Sequence, residues 1–432
     1  MKVGVLGFGN VASATIKSFM ENRDLILSKT EVPIEFIRVA TRSPDRATGR
    51  VPPGCDVSND CEALVDDPAI DVVIELTGSV SSGRGLVLRA LGNGKHVITA
   101  NKALLARHGE EIMQRAEEAG RRVLFEGAVA VSIPIIKTLK ESAAANRISS
   151  VLGILNGTSN YVLSQMSDHG ADFDASIADA QAKGYAEADP TLDVSGEDAG
   201  HKITLLASLA FGVQINLAAC DLKGIAAIER IDIGFAKRVG FEMKLIARAS
   251  LQDGRVEVGV APTLVPEGSM LAQVRGSMNG IVIQGDLLGS AFLYGSGAGG
   301  VQTASAVLAD LLELANHTQA PALTGAHNMG YKRRASAPAT YRPISERQGA
   351  FYLRLRMGDR VGALANVSNV LARAQISVKS LLRCQGHDSQ SDLIVITHTT
   401  SAGKLYDTLP QLREAAGAAH PVVVYPVLHE LD

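Results

Sequence analysis

The sequence predicts an α/β protein with three parts: a doubly wound parallel sheet, a mixed α+β domain, and a C-terminal domain of the ferredoxin-like type. Three observations support this. The chain has 432 residues, which at about 150 residues per domain corresponds to three domains. Strand and helix patterns alternate over residues 1–130. Residues 348–432 follow the order β-α-β-β-α-β.

The first part, residues 1–130, contains short apolar runs that predict strands and longer stretches, ended by glycine, that predict helices. Because helices separate the strands, we expect the strands to lie parallel, with helices on both faces of the sheet. The predicted strands are Lys2–Leu6, Ile34–Ala40, Val72–Leu76, His96–Thr99 and Arg122–Glu126, and the predicted helices are Ser13–Met20, Leu86–Gly92 and Glu110–Ala119.

The second part, residues 131–318, mixes helical stretches with strand-like pieces and turn-rich segments. We expect its last helix, within 303–317, to pack back on the first domain. The predicted elements are the helices Asn160–Gln165, Ala199–Ala210 and Thr303–Ala315, the strands Glu257–Val260 and Ile281–Gln284, and the glycine-rich loop Tyr294–Gly300.

Residues 319–347 have the composition of a linker, with several prolines and alanines and the basic run Lys332–Arg334. Such a run is most often a solvated charged segment. The C-terminal domain, residues 348–432, follows it. Its predicted elements are the strands Ala350–Met357, Ser377–Cys384, Asp392–His398 and Val422–Leu428 and the helices Leu364–Ala374 and Lys404–Glu414.

Composition excludes several classes of function. With 42 Lys+Arg against 45 Asp+Glu, the net charge is −3, which gives no electrostatic argument for nucleic acid or an anionic membrane. The chain lacks tryptophan and any apolar run that approaches a membrane span. The N-terminus has no signal-peptide pattern, and the four cysteines form no CxxC pair. We therefore expect a cytoplasmic protein without nucleic-acid or membrane partners.

A dinucleotide-binding motif lies between the first strand and the first helix. Gly7 permits the tight turn, Gly9 lets the backbone approach a pyrophosphate, and Ala12 is small enough for helix–strand packing. The helix N-terminus adds amide donors and the positive end of a dipole. The alternative is a tight turn without a ligand. The residues that we expect at the cofactor here are Gly7, Phe8, Gly9, Asn10 and Val11.

Three further strand ends supply candidate ligand-binding residues. After the second strand, Thr41 and Arg42 stand where an NAD site has an acidic residue, so Arg42 is expected to pair with the 2′-phosphate of NADP. Thr77 and Gly78 follow the third strand and Lys102 follows the fourth, at the sheet edge where ligands bind. The alternative for Arg42 and for Lys102 is an ordinary solvated side chain.

The densest polar stretch is Gly184–Lys202, which contains five acidic residues and one lysine, Lys202. Asp198 and Lys202 are spaced i, i+4 and share a helix face. The following residues, 203–211, are almost wholly apolar, so this helix is expected to be buried, where a lysine needs a partner or a role. The pattern suits an amino-acid-like substrate, whereas the alternative is a surface ion pair.

A second glycine-rich loop, Gly295–Gly300, precedes a helix. It is interpreted as a second backbone surface near the cofactor, with Gly299 as its candidate residue. The alternative is a flexible turn.

Four stretches together resemble homoserine dehydrogenase, and the resemblance spans nearly the whole chain. The C-terminal domain resembles an ACT domain: Asp359–Leu364 is similar to its DxxGxL loop and Ile376–Val378 to the strand after its first helix. The four stretches are TANKALLA (Thr99–Ala106), LNGTSNY (Leu155–Tyr161), GYAEADPTLDVSGEDAGHK (Gly184–Lys202) and GSGAGGVQTASAV (Gly295–Val307).

The resemblance implies reversible conversion of L-homoserine and NAD(P)⁺ into L-aspartate 4-semialdehyde and NAD(P)H, in threonine, methionine and isoleucine biosynthesis. NADP is the expected cofactor, with NAD as the open alternative. Lys202 matches the family's acid/base, Asp198 the residue that holds the reacting hydroxyl, and Lys102 a second lysine at the reacting end. Glu187 matches the carboxylate that binds the substrate amino group, with Asp193 and Thr158 as further substrate contacts.

The acid/base role of Lys202 is chemically reasonable, because hydride leaves a carbinol carbon readily only when the hydroxyl loses its proton. Burial lowers a lysine pKa and nearby acids oppose that change, so the sequence leaves the net direction open. A water relay, or a proton role shared with Lys102, also stays open.

The resemblance also implies a monovalent cation, usually sodium, held largely by backbone oxygens around Glu126, Val129, Val131 and Ile133. The family's glycine-rich VGGGIP stretch reads VAVSIP here, over 129–134. Backbone ligation tolerates the added side chains.

In the ACT domain the resemblance implies an amino-acid effector, threonine as a feedback inhibitor, bound through Asp359, Gly362, Leu364 and Ser377. It further implies a homodimer or homotetramer, with dimerisation through residues 131–318. The alternative for the ACT domain is a purely structural dimerisation module.

Two other functions stay open at this point. One is a different NADP-linked amino-acid dehydrogenase on the same scaffold. The other is a catalytically silent nucleotide or amino-acid sensor, which the presence of Glu187, Asp198 and Lys202 disfavours.

Overall fold

The computed structural model describes residues 1–317, 328–331, 337–358, 361–385, 390–417 and 421–428. The predicted basic run Lys332–Arg334 and the predicted effector residue Asp359 lie outside them. The chain divides into two compact units. The first unit comprises residues 1–151, 200–219 and 278–339, and the second comprises 152–199, 220–277 and 340–432.

The described strands and helices are numbered in chain order. The strands are β1 (Lys2–Leu6), β2 (Glu35–Ala40), β3 (Asp56–Ser58), β4 (Val72–Glu75), β5 (His96–Thr99), β6 (Val123–Leu124), β7 (Ile148–Ile154), β8 (Val213–Gln214), β9 (Asp221–Leu222), β10 (Phe241–Gln252), β11 (Arg255–Pro266), β12 (Met278–Gly285), β13 (Gly289–Ser296), β14 (Ala337–Pro338), β15 (Gln348–Gly358), β16 (Val378–Gln385), β17 (Gln390–Thr397), β18 (Thr400–Ser401) and β19 (Val423–Val427). The helices are α1 (Asn10–Glu21), α2 (Arg23–Leu27), α3 (Cys61–Asp66), α4 (Val80–Gly92), α5 (Lys102–Glu118), α6 (Ile135–Lys137), α7 (Gly157–His169), α8 (Phe173–Ala182), α9 (Thr191–Val194), α10 (Glu197–Phe211), α11 (Arg230–Arg238), α12 (Gly300–His317), α13 (Ala363–Arg373) and α14 (Ala402–Ala415).

The first unit contains a sheet of six parallel strands in the order β3-β2-β1-β4-β5-β6. The order reverses direction at β1, as in a doubly wound Rossmann sheet, so the predicted fold class is confirmed. The predicted bounds of β1 and β5 are correct to the residue. The chain enters α1 directly after the glycine turn, and ligands bind at that edge of such sheets.

Helix α12 packs against α1 in the first unit, although almost 300 residues separate them in the sequence. Its apolar face joins the core of the sheet, where β1 and α1 also bury their side chains. The shared core includes Val3, Ile16, Ile74, Ile98, Val307 and Leu311, all fully buried.

The second unit contains a mixed sheet in the order β10-β11-β19-β15-β17-β16. Strands β10 and β11 form a long antiparallel hairpin around Asp253 and Gly254, which both have positive φ, the conformation that a two-residue hairpin turn requires. From β15 to β19 the chain runs β-α-β-β-α-β, and these four strands lie in the ferredoxin-like order β19-β15-β17-β16.

Several predicted boundaries are wrong. Helices α5 and α7 begin well before their predicted first residues, because Asn101 and Asn156 cap them: their side-chain oxygens accept the backbone N–H of Leu104 and Ser159. Strand β13 runs to Ser296, into the predicted loop. Within the predicted linker, β14 pairs with β8, so part of that stretch is ordered strand.

No helix in the described ranges is long and apolar enough to cross a membrane.

Candidate functional site

The glycine turn after β1 has a shape that only glycine allows. Gly7 has φ +95°, and a Cβ there would lie 2.8 Å from the carbonyl oxygen of Leu76. Its N–H donates to the carbonyl of Ala40 at 2.8 Å, which ties the turn to β2. Gly9 caps α1, and its missing Cβ faces open space. The start of α1 is therefore open to an anionic group.

The second glycine-rich loop lies against this turn in the first unit. A Cβ on Gly300 would lie 3.2 Å from the carbonyl oxygen of Asn10 and 3.6 Å from the Cβ of Ala14. Gly299 has φ +131°, in the region that favours glycine. The N-termini of α1 and α12 therefore meet, and both direct backbone N–H groups and a positive dipole end to one place.

A buried carboxylate ties the ends of β4 and β5 together. Glu75 is fully buried and accepts hydrogen bonds from the backbone N–H of Thr77 at 2.9 Å and its hydroxyl at 2.6 Å. Its other oxygen accepts the hydroxyl of Thr99 at 2.7 Å. Asn101 donates to the carbonyl of Ser79 at 3.1 Å and caps α5. These hydrogen bonds fix the ends of β4 and β5. The candidate residues Thr77 and Gly78 directly follow β4, and Lys102 follows β5 as the first residue of α5.

The predicted NADP-selecting residue, Arg42, is exposed directly after β2. Its neighbour Thr41 is buried and donates its N–H to the carbonyl of Ser58 at 2.9 Å, which fixes the backbone there. A second arginine, Arg50, stacks over the ring of Phe8 with its guanidinium carbon 5.4 Å from the ring centre. Arg50 was not predicted from the sequence, because it lies ten positions after Ala40, the end of β2, and belongs to no local pattern.

Glu126 uses its side chain to cap a helix. Its carboxylate is buried and accepts the N–H of Ile136 at 3.0 Å and of Lys137 at 2.8 Å, at the start of α6. Burial raises the pKa of Glu126 to about 7, although these two N–H groups oppose the rise. Its own N–H donates to Asp310 at 2.9 Å. The Glu126 carboxylate is thus engaged with the start of α6, and its backbone carbonyl is the candidate cation ligand.

The stretch after Glu126 carries carbonyl groups that fit a cation. In the part of the chain that the structure describes, the carbonyl oxygens of Val129 and Val131 accept no hydrogen bond, whereas that of Ile133 accepts the N–H of Ile135 at 2.7 Å. A carbonyl without a donor is costly unless a cation or water completes it. Ala130 has φ +50°, the region that the family's glycine at this place favours.

Asn156 connects two of the predicted substrate residues in the second unit. Its side-chain amide donates to Asp193 at 2.7 Å and to Asp198 at 2.8 Å, and Asn156 and Asp198 are both buried. The hydroxyl of Ser159 donates to the carbonyl of Asp193 at 2.7 Å. The sequence analysis quoted Asn156 within a motif but gave it no role. Two carboxylates are thus held together through one amide.

Thr158 and Glu187 differ in how the structure places them. Thr158 is buried in α7, and its hydroxyl donates to the carbonyl of Tyr185 at 2.6 Å. Glu187 is exposed, and Gln181 holds its backbone carbonyl at 3.1 Å. Among the described residues the Glu187 carboxylate makes no hydrogen bond or ion pair that would place it beside Asp193 and Asp198.

Helix α10 carries Asp198 and Lys202 one turn apart, and both side chains are buried. The helix begins at Glu197, two residues before its predicted start, so Asp198 lies in its first turn, where the helix dipole favours an acidic side chain. The expected buried helix with a buried lysine is present.

The predicted effector residues of the C-terminal part lie at the start of α13 and after it. Gly362 has φ +83° and caps α13, and Leu364 is 40% exposed. Ser377 is exposed and its carbonyl accepts the N–H of His398 at 2.8 Å. The described ranges contain no group of three or more His, Cys, Asp or Glu side chains placed to hold a metal ion.

Two family models match the chain. Residues 7–126 match the model described as homoserine dehydrogenase, NAD binding domain, and residues 134–312 match the model described as homoserine dehydrogenase. A homoserine dehydrogenase of Pseudomonas aeruginosa is 38% identical over 98% of both chains. One of Neisseria gonorrhoeae is 38% identical over 93% of this chain and 92% of its own.

Solved structures are similar as well. The crystal structure of a homoserine dehydrogenase from Thiobacillus denitrificans has a TM-score of 0.94 at 38% identity and covers 99% of this chain and 98% of its own. A hyperthermophilic archaeal homoserine dehydrogenase in complex with NADPH has a TM-score of 0.62 at 24% identity and covers 74% of this chain, a likeness in fold.

Proposed function

The chain belongs to the homoserine dehydrogenase family, and from that premise we propose which of its residues bind the ligands, move the proton and respond to an effector. The enzyme is an NAD(P)-dependent oxidoreductase that interconverts L-homoserine and L-aspartate 4-semialdehyde. The observation that carries the residue assignment is the amide of Asn156, which holds Asp193 and Asp198 together.

The residues of the first unit fit a dinucleotide. The two helix N-termini at Gly9 and Gly300 supply N–H donors for the pyrophosphate. A dinucleotide held there would supply the acceptor for the hydride of the carbinol carbon. The two glycine turns contribute Phe8, Asn10, Val11 and Gly299. The segments that follow β4 and β5 contribute Thr77, Gly78 and Lys102.

Arg42 decides the preference for NADP in this proposal. Replacing Arg42 with alanine lowers kcat/KM for NADP⁺ by about 10- to 100-fold, the worth of one charge-assisted hydrogen bond, and leaves that for NAD⁺ unchanged. Steady-state kinetics with both cofactors measure the change. Arg23→Ala, an exposed arginine at the start of α2, is the control and keeps the wild-type ratio. Equal losses with both cofactors would exclude a 2′-phosphate role.

The substrate is held by carboxylates and a helix start. Asp198 holds the reacting hydroxyl, Asp193 and Glu187 bind the ammonium group, and Thr158 contacts the substrate from the first turn of α7. Lys202 takes the hydroxyl proton as the hydride leaves carbon, so the alcohol loses one proton and one hydride and becomes the aldehyde. Lys102 is assigned as the second lysine at the reacting end, as its match to the family motif implies.

Asn156 positions the two aspartates, and its replacement tests this. In Asn156→Asp the helix cap is retained, since aspartate caps as well as asparagine, but the donor is lost and a third carboxylate faces Asp193 and Asp198. We expect kcat to fall by about 10- to 100-fold, because hydrogen bonds to charged groups contribute about 1.5–3 kcal/mol. Thermal unfolding and the pH profile of kcat are measured on the same variant.

The control is Asn146→Asp, an asparagine of the first unit that accepts N–H groups of Leu287 and Leu288. It leaves kcat and its pH profile unchanged. Wild-type kcat in Asn156→Asp would show that Asn156 only caps α7.

A monovalent cation completes the site in this proposal. The carbonyl oxygens of Glu126, Val129, Val131 and Ile133 are its ligands, and the donor-free carbonyls of Val129 and Val131 support it. Sodium is the cation proposed. Its function is to fix the turn between Glu126 and α6, to which the Glu126 carboxylate is also bound.

The C-terminal module is proposed to be an ACT domain that binds threonine as a feedback inhibitor, through Asp359, Gly362, Leu364 and Ser377. Its ferredoxin-like strand order supports the assignment. Addition of threonine then lowers the rate of homoserine oxidation at fixed substrate, and an unchanged rate at saturating threonine contradicts the proposal. A homodimer or homotetramer and a cytoplasmic location belong to the same proposal.

The proposed domain division follows the sequence: a nucleotide domain over 1–130, a substrate and dimerisation domain over 131–318, a linker over 319–347 and the effector domain over 348–432. The packing of α12 on α1 supports the return of the chain to the nucleotide domain.

A further inference from the structure

An arginine without a partner lies on the β10–β11 hairpin of the second unit. In the hairpin register, Arg248 is opposite Gly259 and Ser250 is opposite Glu257, so Arg248 and Glu257 lie diagonally on the same sheet face. The Nε atom of Arg248 is buried, and in the described part of the chain Arg248 makes no hydrogen bond or ion pair. A buried guanidinium donor without an acceptor is costly.

The charges around Arg248 leave it without a counter-ion. Glu257, the carboxylate on the same face, is paired with Arg347 at 3.3 Å. Asp221 is 3.5 Å from Lys223. A third arginine, Arg342, is bound to Gln252 at 2.7 Å.

The direction of the pKa shift of Arg248 agrees with the lack of a counter-ion. Burial lowers the pKa of Arg248, and the positive charge of Arg347 lowers it further, while Glu257 only partly opposes them. The position therefore favours an added negative charge.

A narrow cavity of about 40 Å³ opens at this guanidinium. It is large enough for a group of a few heavy atoms, since a single water needs about 10–15 Å³ on the same measure. Its lining includes the polar side chains of Arg248, Arg347, Glu257, Asp221 and Thr263. The hydroxyl of Thr263 donates to the carbonyl of Ala261 at 3.0 Å, and the rest of the lining is apolar or backbone, from Ile246, Val258, Val260, Ile344, Pro426 and Val427.

We propose that this cavity is a binding site for a small carboxylate anion, whose oxygens accept hydrogen bonds from Arg248 and Arg347. The guanidinium fork matches the two oxygens of a carboxylate. The apolar walls fit the short hydrocarbon part of such an anion. The site is separate from the residues proposed for homoserine, the cofactor and threonine.

Binding has a structural consequence within the second unit. The cavity walls come from β10 and β11, from the segment that enters β15, and from β19. In the described residues β19 pairs with β11 at one position, Leu264 with Val427, and the N–H of Leu428 donates to the carbonyl of Leu264 at 2.8 Å. A bound carboxylate therefore adds a contact that fastens the C-terminal module to the hairpin.

Acetate is the probe, at constant ionic strength with chloride as the balancing anion. The melting temperature of the wild-type enzyme rises saturably with acetate, by several degrees at concentrations far above Kd. In Arg248→Met the rise is absent, and Arg248→Gln serves as a second variant in case the first one misfolds. Arg373→Met, an exposed arginine on α13, responds as the wild type does.

Homoserine turnover without acetate is unchanged in Arg248→Met, which verifies that the variant is folded. Saturation-transfer NMR on the acetate methyl group gives direct binding to the wild type and none to the variant. Equal acetate responses of the wild type and Arg248→Met, with no saturation transfer to either, would overturn the proposal.

Discussion

Replacing Asp232 with alanine is expected to lower the free energy of unfolding by about 3–5 kcal/mol, as removal of one partner of a buried ion pair does. Asp232 is fully buried on α11. Its carboxylate accepts the hydroxyl of Tyr352 at 2.7 Å and Nε of Arg354 at 2.7 Å. Without it, the guanidinium of Arg354, only 3% exposed, keeps its charge with one fewer acceptor.

One further contact is lost with the same side chain. Asp232 accepts the N–H of Glu229 at 3.0 Å and so closes a capping box at the start of α11. Glu229 remains as a partner of Arg354 at 2.7 Å, but it is half exposed, so water screens the pair. The loss is therefore large and is not fully compensated.

Urea unfolding of the wild type and Asp232→Ala measures the change. The matched control is Asp56→Ala, whose carboxylate is 60% exposed and 3.3 Å from Arg38, and which should cost about 0–1 kcal/mol. A loss below 1 kcal/mol in Asp232→Ala would show that the network contributes little to stability.

The contacts of Asp232 were not predicted from the sequence, and they show how the C-terminal module is attached within the second unit. The module was predicted as an independent β-α-β-β-α-β domain, and its strands and helices are present nearly as predicted. The structure adds that β15 is bound to α11 through Arg354 and Asp232, which are 122 residues apart. A pair so distant in sequence produces no local sequence pattern. From the sequence alone, Arg354 and Asp232 would each be predicted to be exposed.

Local patterns predicted the parallel sheet well, because short apolar strands between glycine turns are read directly from the residues. Strand β10 was not predicted. Apolar and polar residues alternate over Phe241–Gln252 with Ile246 as the exception, so the pattern of a strand was present there but was not used. Glu242 and Lys244 are buried with partners: Glu242 pairs with Arg275 at 2.8 Å, and Lys244 donates to the carbonyl of Val274 at 2.6 Å. The Asp253-Gly254 turn was the available sequence signal for this hairpin.

In the candidate site, too, some residues could be predicted from the sequence and others could not. The glycines, Lys102, Asp198 and Lys202 could be selected by residue type and spacing. The connecting roles of Glu75 and Asn156 could not, since they depend on which strand or helix ends meet in space. In both cases one buried polar side chain holds two others, which is the usual way that functional groups are kept in place.

Replacing Lys202 with methionine is expected to abolish nearly all turnover. Methionine keeps much of the length and apolar stem, so the buried helix α10 stays packed, but the variant has no group that takes the hydroxyl proton. General acid–base groups contribute about 10²- to 10⁴-fold to a rate, so kcat should fall by that factor. NADPH binding is expected to survive, because the nucleotide residues lie in the glycine turns and sheet edge of the first unit.

Lys17→Met is the matched control, since Lys17 is exposed on α1 and its side chain is 71% accessible. Its kcat and its NADPH affinity should equal those of the wild type. The comparison separates loss of the proton acceptor from any general effect of a lysine-to-methionine change.

The most direct test is homoserine-dependent reduction of NADP⁺ by the wild type and Lys202→Met, with NADPH affinity measured by fluorescence on the same samples. We predict turnover by the wild type, and in the variant an unchanged NADPH affinity with kcat lowered at least about 10²-fold. Turnover by Lys202→Met at the wild-type rate would contradict the assignment of Lys202 as the group that moves the proton.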